Sequence, residues 1–195
     1  MADTATTSTD ATAHTLPSLL PRGAVLFDAG DVGGCWRVQR GIVRLDRPTA
    51  DGPVLVMLAL PGDWLGADSL CHHPHQWRAT AVTPVSLQPC APRDEVERRH
   101  WLVEALLQLP QRCHDMARLR TGPVAARLAA FLALLQGSAA PLSVVGPSDV
   151  HALREALPPL RVLADLVDAK HETVCRVLGQ LLPRSREGYA MLAAA

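Results

Sequence analysis

Leu160–Leu181, LRVLADLVDAKHETVCRVLGQL, constrains this chain more than any other stretch, because its apolar residues fit two short helices facing each other across a turn. Leu163, Val167, Val174 and Val177 stand where such helices must meet, and Ala164 is small enough for one to cross closely over the other. Asp168-Ala169 falls where the chain must turn. A turn of this kind needs a left-handed backbone, usually met by glycine, and aspartate tolerates it better than most residues. Glu172-Thr173, after Lys170-His171, suits a new helix start with a carboxylate near its positive end. Glu172, Cys175, Arg176 and Gly179 then share one face of the second helix at i, i+3, i+4 and i+7. Such a polar, outward face is what a helix laid in a DNA major groove needs. An ordinary amphipathic helical pair with a solvated face has the same pattern.

Upstream, Arg22 to Leu87 is β-type. GAVLFDAG, CWRVQRGIVRL, PVLVMLAL and WRATAVTPVSLQ are short apolar-rich runs divided by Gly-Asp, Asp-Gly and proline-containing turns. This regular spacing predicts a small antiparallel barrel or jelly roll. From Arg93 to Leu119 the period becomes helical, with Val96, Leu102, Val103, Leu106, Leu107 and Leu109 as an apolar stripe. Pro110 lies inside it. A proline there loses one backbone hydrogen bond and crowds the carbonyl four residues back, which predicts a kink or a split near Gln108. Thr121-Gly122-Pro123 marks a break, with Thr121 as a cap and Pro123 in the first turn of the next helix, Val124–Gln136. Gly137–Ala140 ends that helix; Leu142–Val145 reads as a strand, and His151–Ala156 as a short helix or loop.

His171–Leu178, HETVCRVL, resembles the recognition helix of the CRP/FNR superfamily of bacterial transcription regulators, whose recurring form is Glu-Thr-(Val/Ile)-Ser-Arg and an apolar pair. Phe27–Asp31, Trp36–Leu45 with its central Gly41, and Pro61-Gly62-Asp63-Trp64-Leu65-Gly66 are similar to the cyclic-nucleotide-binding β-roll of that superfamily. Arg127–Leu132 resembles the opening of its DNA-binding domain. The resemblance covers most of the chain from about Arg22 and points to the FNR/FixK-like branch. It implies an α+β fold: an N-terminal antiparallel β-roll (residues 22–92), a connecting dimerisation helix (93–120), and a C-terminal winged-helix-like helix-turn-helix (121–195). It also implies a homodimer bound to double-stranded DNA at a palindromic promoter site with TTGA/TCAA half-sites about one helical turn apart. RNA polymerase is a further partner on this reading, no cofactor is required, and no enzyme activity is expected. After Leu182 family members carry a β-hairpin wing; Pro183–Ala195 is short for one, so the wing is expected to be reduced.

On the recognition helix, Arg176 suits the bidentate reading of guanine and Glu172 suits accepting from a cytosine amino group. Lys170, His171 and Thr173 suit phosphates. Cys175 stands where most family members have serine; the resemblance to nitrogen-fixation regulators that lose DNA binding on oxidation of such a cysteine makes it a candidate switch. Lys+Arg and Asp+Glu are equal at 19 each, so any attraction to DNA must be local, from Arg161, Lys170, Arg176, Arg184 and Arg186. Lys170 is the chain's one lysine.

Cyclic-nucleotide binders of the family have a glutamate just after the glycine of the phosphate cassette and an arginine about ten residues on. Here Gly66 is followed by Ala67, with Asp68 one place further along, and the arginine position falls near His75, with Arg78 out of register. Cyclic-nucleotide control is therefore not expected. Cys71-His72-His73-Pro74-His75 is the densest cluster of soft and imidazole ligands. It supports an alternative reading, a metal-binding roll serving a cupin-like enzyme or a metal or haem sensor. A polar loop between strands accounts for the same residues. Five cysteines at irregular spacing, none of them in residues 1–34, argue against both an iron–sulfur cluster and a disulfide framework, and for a reducing cytoplasm. Residues 1–21 read as a disordered tail rather than a signal peptide, and no apolar run is long enough to span a membrane.

Overall fold

The computed structural model of the chain describes residues 18–137 and 153–182. Short apolar runs alternating with glycine and proline turns form eight antiparallel strands: β1 (Ser18–Leu20), β2 (Val25–Phe27), β3 (Cys35–Arg40), β4 (Val43–Arg47), β5 (Val54–Ala59), β6 (Trp64–Leu65), β7 (Arg78–Ala81) and β8 (Val85–Cys90). They pack as two four-stranded sheets in the orders β1-β8-β3-β6 and β2-β7-β4-β5. Inward residues of both sheets, among them Phe27, Val38, Val43, Leu45, Met57, Leu65 and Leu87, fill the roll. One face of each sheet thus lies in the core.

Two long β-type runs each contribute to both sheets. CWRVQRGIVRL divides at Gly41, which has φ +86°, and WRATAVTPVSLQ divides ahead of Pro84. The two corners touch: a Cβ on Gly41 would strike the Pro84 carbonyl oxygen, so only glycine fits. The Ile42 amide donates to Thr83 Oγ1 (2.9 Å) and the Val82 amide to the Ile42 carbonyl (2.8 Å), which closes the backbone accounting at the bend.

The roll begins earlier than the sequence reading placed it. Ser18–Leu20 lies not in a tail but in β1, paired along its length with β8 (Ser18↔Leu87, Leu20↔Val85), and Leu20 packs on the roll core. Three residues carry too little pattern to announce a strand; the free edge of β8 supplies the partner.

Among the described residues four helices longer than one turn follow: α1 (Glu95–Arg120), α2 (Val124–Leu135), α3 (Leu160–Leu166) and α4 (His171–Leu181). Asp94 caps α1 by accepting from the Glu97 amide at 2.8 Å, and Glu97 in turn accepts from the Arg93 amide at 2.7 Å. The helix runs unbroken for 26 residues with Pro110 inside it, so the expected split does not occur. Pro110 and Leu106 both lie on the exposed side, where water can satisfy the Leu106 carbonyl, and the opposite side is held by the roll. Thr121 closes α1 instead of opening α2: its hydroxyl donates to the Ala117 carbonyl at 2.7 Å. Pro123 takes the N-cap position of α2, with no side-chain cap hydrogen bond.

Roll and helices do not have separate cores. Ile42, Leu55, Leu58, Leu60 and Val82 from the roll join Leu119, Leu128, Phe131, Leu132, Leu163, Leu166, Val174 and Leu178 in one buried cluster. Full burial of each large side chain contributes roughly 1.5–3 kcal/mol, which fixes the helices on the roll. Residues 153–156 are helical and bring Leu153 into this cluster. The tail before residue 18, the strand expected at Leu142–Val145, and the wing region with Arg184 and Arg186 lie outside the described residues.

Candidate functional site

Two features stand out: the outward face of α4, and the seat of α1 on the roll with the cavity beside it. At the first, α3 ends at Val167, and Asp168 takes the left-handed conformation the turn demands, with φ 47°. The carbonyls exposed at this helix end are satisfied by a residue the sequence reading did not single out. Arg127 of α2 donates to the Val167 and Asp168 carbonyls at 2.8 and 2.9 Å. No spacing rule announces that contact, because 40 residues separate the partners.

Leu163, Ala164, Val167, Val174 and Leu178 are buried between the helices, with Val177 half-buried. This burial aims the rest of α4 outward. Lys170, His171, Glu172, Cys175, Arg176, Gly179 and Gln180 are exposed, and Thr173 is half-buried. Glu172 lies in the first turn, where the helix dipole favours a carboxylate. The face therefore offers one guanidinium, one ammonium, one imidazole, one carboxylate and one thiol, with no apolar residue among them.

At the second feature, polar side chains hold α1 against the edge strand β6. The Gln108 amide completes the strand's pairing, accepting from the Trp64 amide (2.8 Å) and donating to the Trp64 carbonyl (3.1 Å). Glu104 accepts from the Trp64 indole (3.0 Å) and from Arg37 (2.7 Å), and Arg37 also lies over the Trp64 ring. Burial tends to raise the Glu104 carboxyl pKa, but the Trp64 and Arg37 hydrogen bonds leave it lower than usual. Below this, Arg112 is shared by two buried carboxylates, Asp63 at 3.0 Å and Asp115 at 2.6 Å. Asp63 is the last residue of the Pro61-Gly62-Asp63 turn; its side chain accepts from the Leu60 amide at 2.8 Å. Burial pushes its pKa up, against the pull of that amide and of Arg112.

A cavity of about 520 Å³ lies between the roll and α1. Phe27, Leu45, Met57, Trp64, Leu102 and Leu109 make most of its wall apolar, and Ala67, Asp68, Cys71, His73 and Gln76 line its mouth. Among the described residues no arginine or lysine lines it. Arg78, instead, is half-exposed and pairs with Asp28 at 3.3 Å.

The Cys-His-His-Pro-His cluster is divided. Cys71, His72 and His73 are exposed, whereas His75 is buried and stacked on Phe27, ring centroids 3.9 Å apart. Its backbone is clamped to the 28–31 turn by two hydrogen bonds, Gly30 amide to His75 carbonyl (2.8 Å) and His75 amide to Asp31 carbonyl (2.9 Å). Among the described residues neither ring nitrogen has a hydrogen-bond partner, and a Cβ at Gly33 or Gly66 would strike the ring. Desolvation lowers the His75 pKa, against the opposing charges of Asp68 and Asp31. Among the described residues no group of three His, Cys, Asp or Glu side chains converges to hold a metal ion. No helix among them is long and apolar enough to cross a membrane.

Residues 18–98 match the cyclic nucleotide-binding domain family, which defines the class of the roll. The chain is 32% identical over 182 residues to transcriptional regulator SdrP of Thermus thermophilus, covering 86% of this chain and 85% of that one. The crystal structure of a CRP/FNR-family transcriptional regulator from the same organism is 30% identical, with a TM-score of 0.57 over 89% of this chain and 87% of the other. A second, a CRP-family regulator, is 26% identical with a TM-score of 0.63 over 88% and 85%. The chain belongs to the CRP family of transcriptional regulators.

Proposed function

We propose that this protein is a sequence-specific DNA-binding transcription regulator of the FNR/FixK-like type, acting as a homodimer on a twofold site without cyclic-nucleotide control. The observation that carries this reading is the outward face of α4. Its cations and hydrogen-bonding groups are exposed together, while the apolar residues of the same helix lock it to α3. With α3 and α4 as a helix-turn-helix, α4 is the recognition helix. Arg176 presents its fork to guanine O6 and N7, and Glu172 accepts from the cytosine amino group. Lys170, His171 and Thr173 contact phosphates, and Cys175 shares the exposed face beside Arg176. Balanced global charge makes this local set decisive.

The dimer reading rests on α1. Leu102, Ala105 and Leu109 face the roll, whereas Val103 and Leu107, with Leu106 at the edge of the cavity, are exposed. A second α1 of the same kind would cover them. Absence of cyclic-nucleotide control is supported by Ala67 at the position of the ribose carboxylate, by a cavity lining without arginine or lysine among the described residues, and by Arg78 pairing outward with Asp28. Selection from random duplex DNA tests the function directly. Enrichment of an inverted repeat with TTGA-like half-sites, bound by two chains, is the expected result; no enriched sequence would mean that the chain is not a sequence reader.

A further inference from the structure

We propose that Cys35 and Cys90 are a redox pair: a peroxide oxidises them to a disulfide that ties the start of β3 to the end of β8. The two residues are 55 positions apart in sequence, yet they stand directly opposite in the β3–β8 ladder. Opposed residues of an antiparallel pair send their side chains to the same face. The Val38 amide and carbonyl bond to the β6 side, through Asp63 and Gly62. Backbone alternation therefore turns the Cys35 amide and carbonyl toward β8. Pairs of this type have Cα atoms about 5.5 Å apart, inside the range of about 4.4–6.8 Å that a disulfide spans. Their Cβ atoms lie toward the upper end of about 4.5–5.5 Å, so closing the bridge draws the two strand ends together toward the roughly 3.5–4.5 Å it needs. Cys35 is the first residue of β3 and Cys90 the last of β8, so the sulfurs can close without shifting ladder on both sides.

Both thiols share one apolar environment. Cys35 is buried with Trp64, Leu70 and Ala105, and Cys90 packs partly buried against the same group. Cys71, Cys113 and Cys175 are exposed. Burial pushes the Cys35 thiol up to about 12 and also raises Cys90, but Arg37 beside Cys90 works against the latter. Cys90, less deeply buried, is thus the point of entry, and the pair reacts more slowly than the exposed thiols. The Cys90 sulfur attacks a peroxide oxygen; the O–O bond breaks, a sulfenic acid forms, and water leaves. The Cys35 sulfur then attacks Cys90 Sγ, an S–S bond replaces the S–O bond, and a second water leaves. Two thiols lose two electrons and the peroxide gains them.

The test uses the full chain carrying Cys71→Ser, Cys113→Ser and Cys175→Ser, so that two of the five thiols remain. After hydrogen peroxide, both thiols should disappear from thiol titration, with a mass loss of two hydrogens. Digestion should give a peptide linking Cys35 to Cys90 that dithiothreitol reverses. Adding Cys90→Ser should leave Cys35 reduced. Were the triple variant to fold poorly, the same digest applies to the wild type with its exposed thiols first blocked by iodoacetamide. Cys90 ending as sulfinic or sulfonic acid with Cys35 still free would overturn the proposal. So would a link between two chains, or oxidation of Cys35 without Cys90.

Discussion

Replacing Arg112 with alanine removes the one cation that two buried carboxylates share. Asp63, Asp115 and Arg112 itself are each largely hidden from water, with side-chain exposures of 7%, 6% and 14%. Surface ion pairs contribute little, so this burial decides the magnitude. Breaking a buried pair by deleting one partner costs about 3–5 kcal/mol, mostly because the remaining charge is desolvated and unmatched. Two such charges do not double the loss here. Asp63 keeps the Leu60 amide, and Asp115 keeps the Gln111 side-chain amide at 3.0 Å. A loss of about 3–5 kcal/mol in a chain of this length lowers the unfolding midpoint by about 6–20 °C. Thermal unfolding at neutral pH, followed by circular dichroism, measures it. Arg112→Met combined with Asp63→Asn and Asp115→Asn should recover much of the stability, because no charge is then left buried. A loss below about 1 kcal/mol for Arg112→Ala would place the network effectively in water and refute the reasoning.

Arg176→Ala should weaken binding to the preferred DNA site by about 1–3 kcal/mol and flatten the preference for guanine there; equal loss on all sequences would make Arg176 a phosphate contact. Peroxide should abolish DNA binding by the wild type and spare Cys175→Ser, as measured by fluorescence anisotropy; equal loss in both would remove Cys175 as a switch. Cyclic AMP should give no saturable heat in titration calorimetry, and micromolar binding would overturn the reading of Ala67. Because desolvation holds the folded His75 pKa below its ordinary value, below about pH 6.5 the unfolded chain takes a proton that folded His75 does not. Its contribution is therefore full above that pH and is lost as pH falls through it, by at most about 1.4 kcal/mol per pH unit. His75→Leu should flatten that part of the stability–pH curve, and an unchanged slope would assign it to other groups.

Periodicity along the chain was enough to mark the runs that hold β2, β3, β4, β5, β7 and β8, the long helix, and the two short helices around Asp168, and to divide α4 into buried and outward faces, but not β1 or β6. Each of these depends on residues a few positions apart, where backbone geometry alone decides which side chains align. At Pro110 and Thr121 local pattern does not suffice. The hydrogen bond a proline loses is visible in the sequence, whereas the exposure of the Leu106 carbonyl side and the grip of the roll on the rest of α1 are not.

The tertiary structure decided everything that joins distant residues. It buried His75 on Phe27 while leaving Cys71, His72 and His73 outside, so that a cluster dense in sequence is not one in space. It set Cys35 opposite Cys90, hung the end of α3 on Arg127, and gave Asp63 its partner Arg112. The chain itself dictated that apolar faces must be covered, because water drives them together without regard to partner. Which polar group meets which depends on strand register and helix docking, and those are settled only when the two sheets and the helices close on one core.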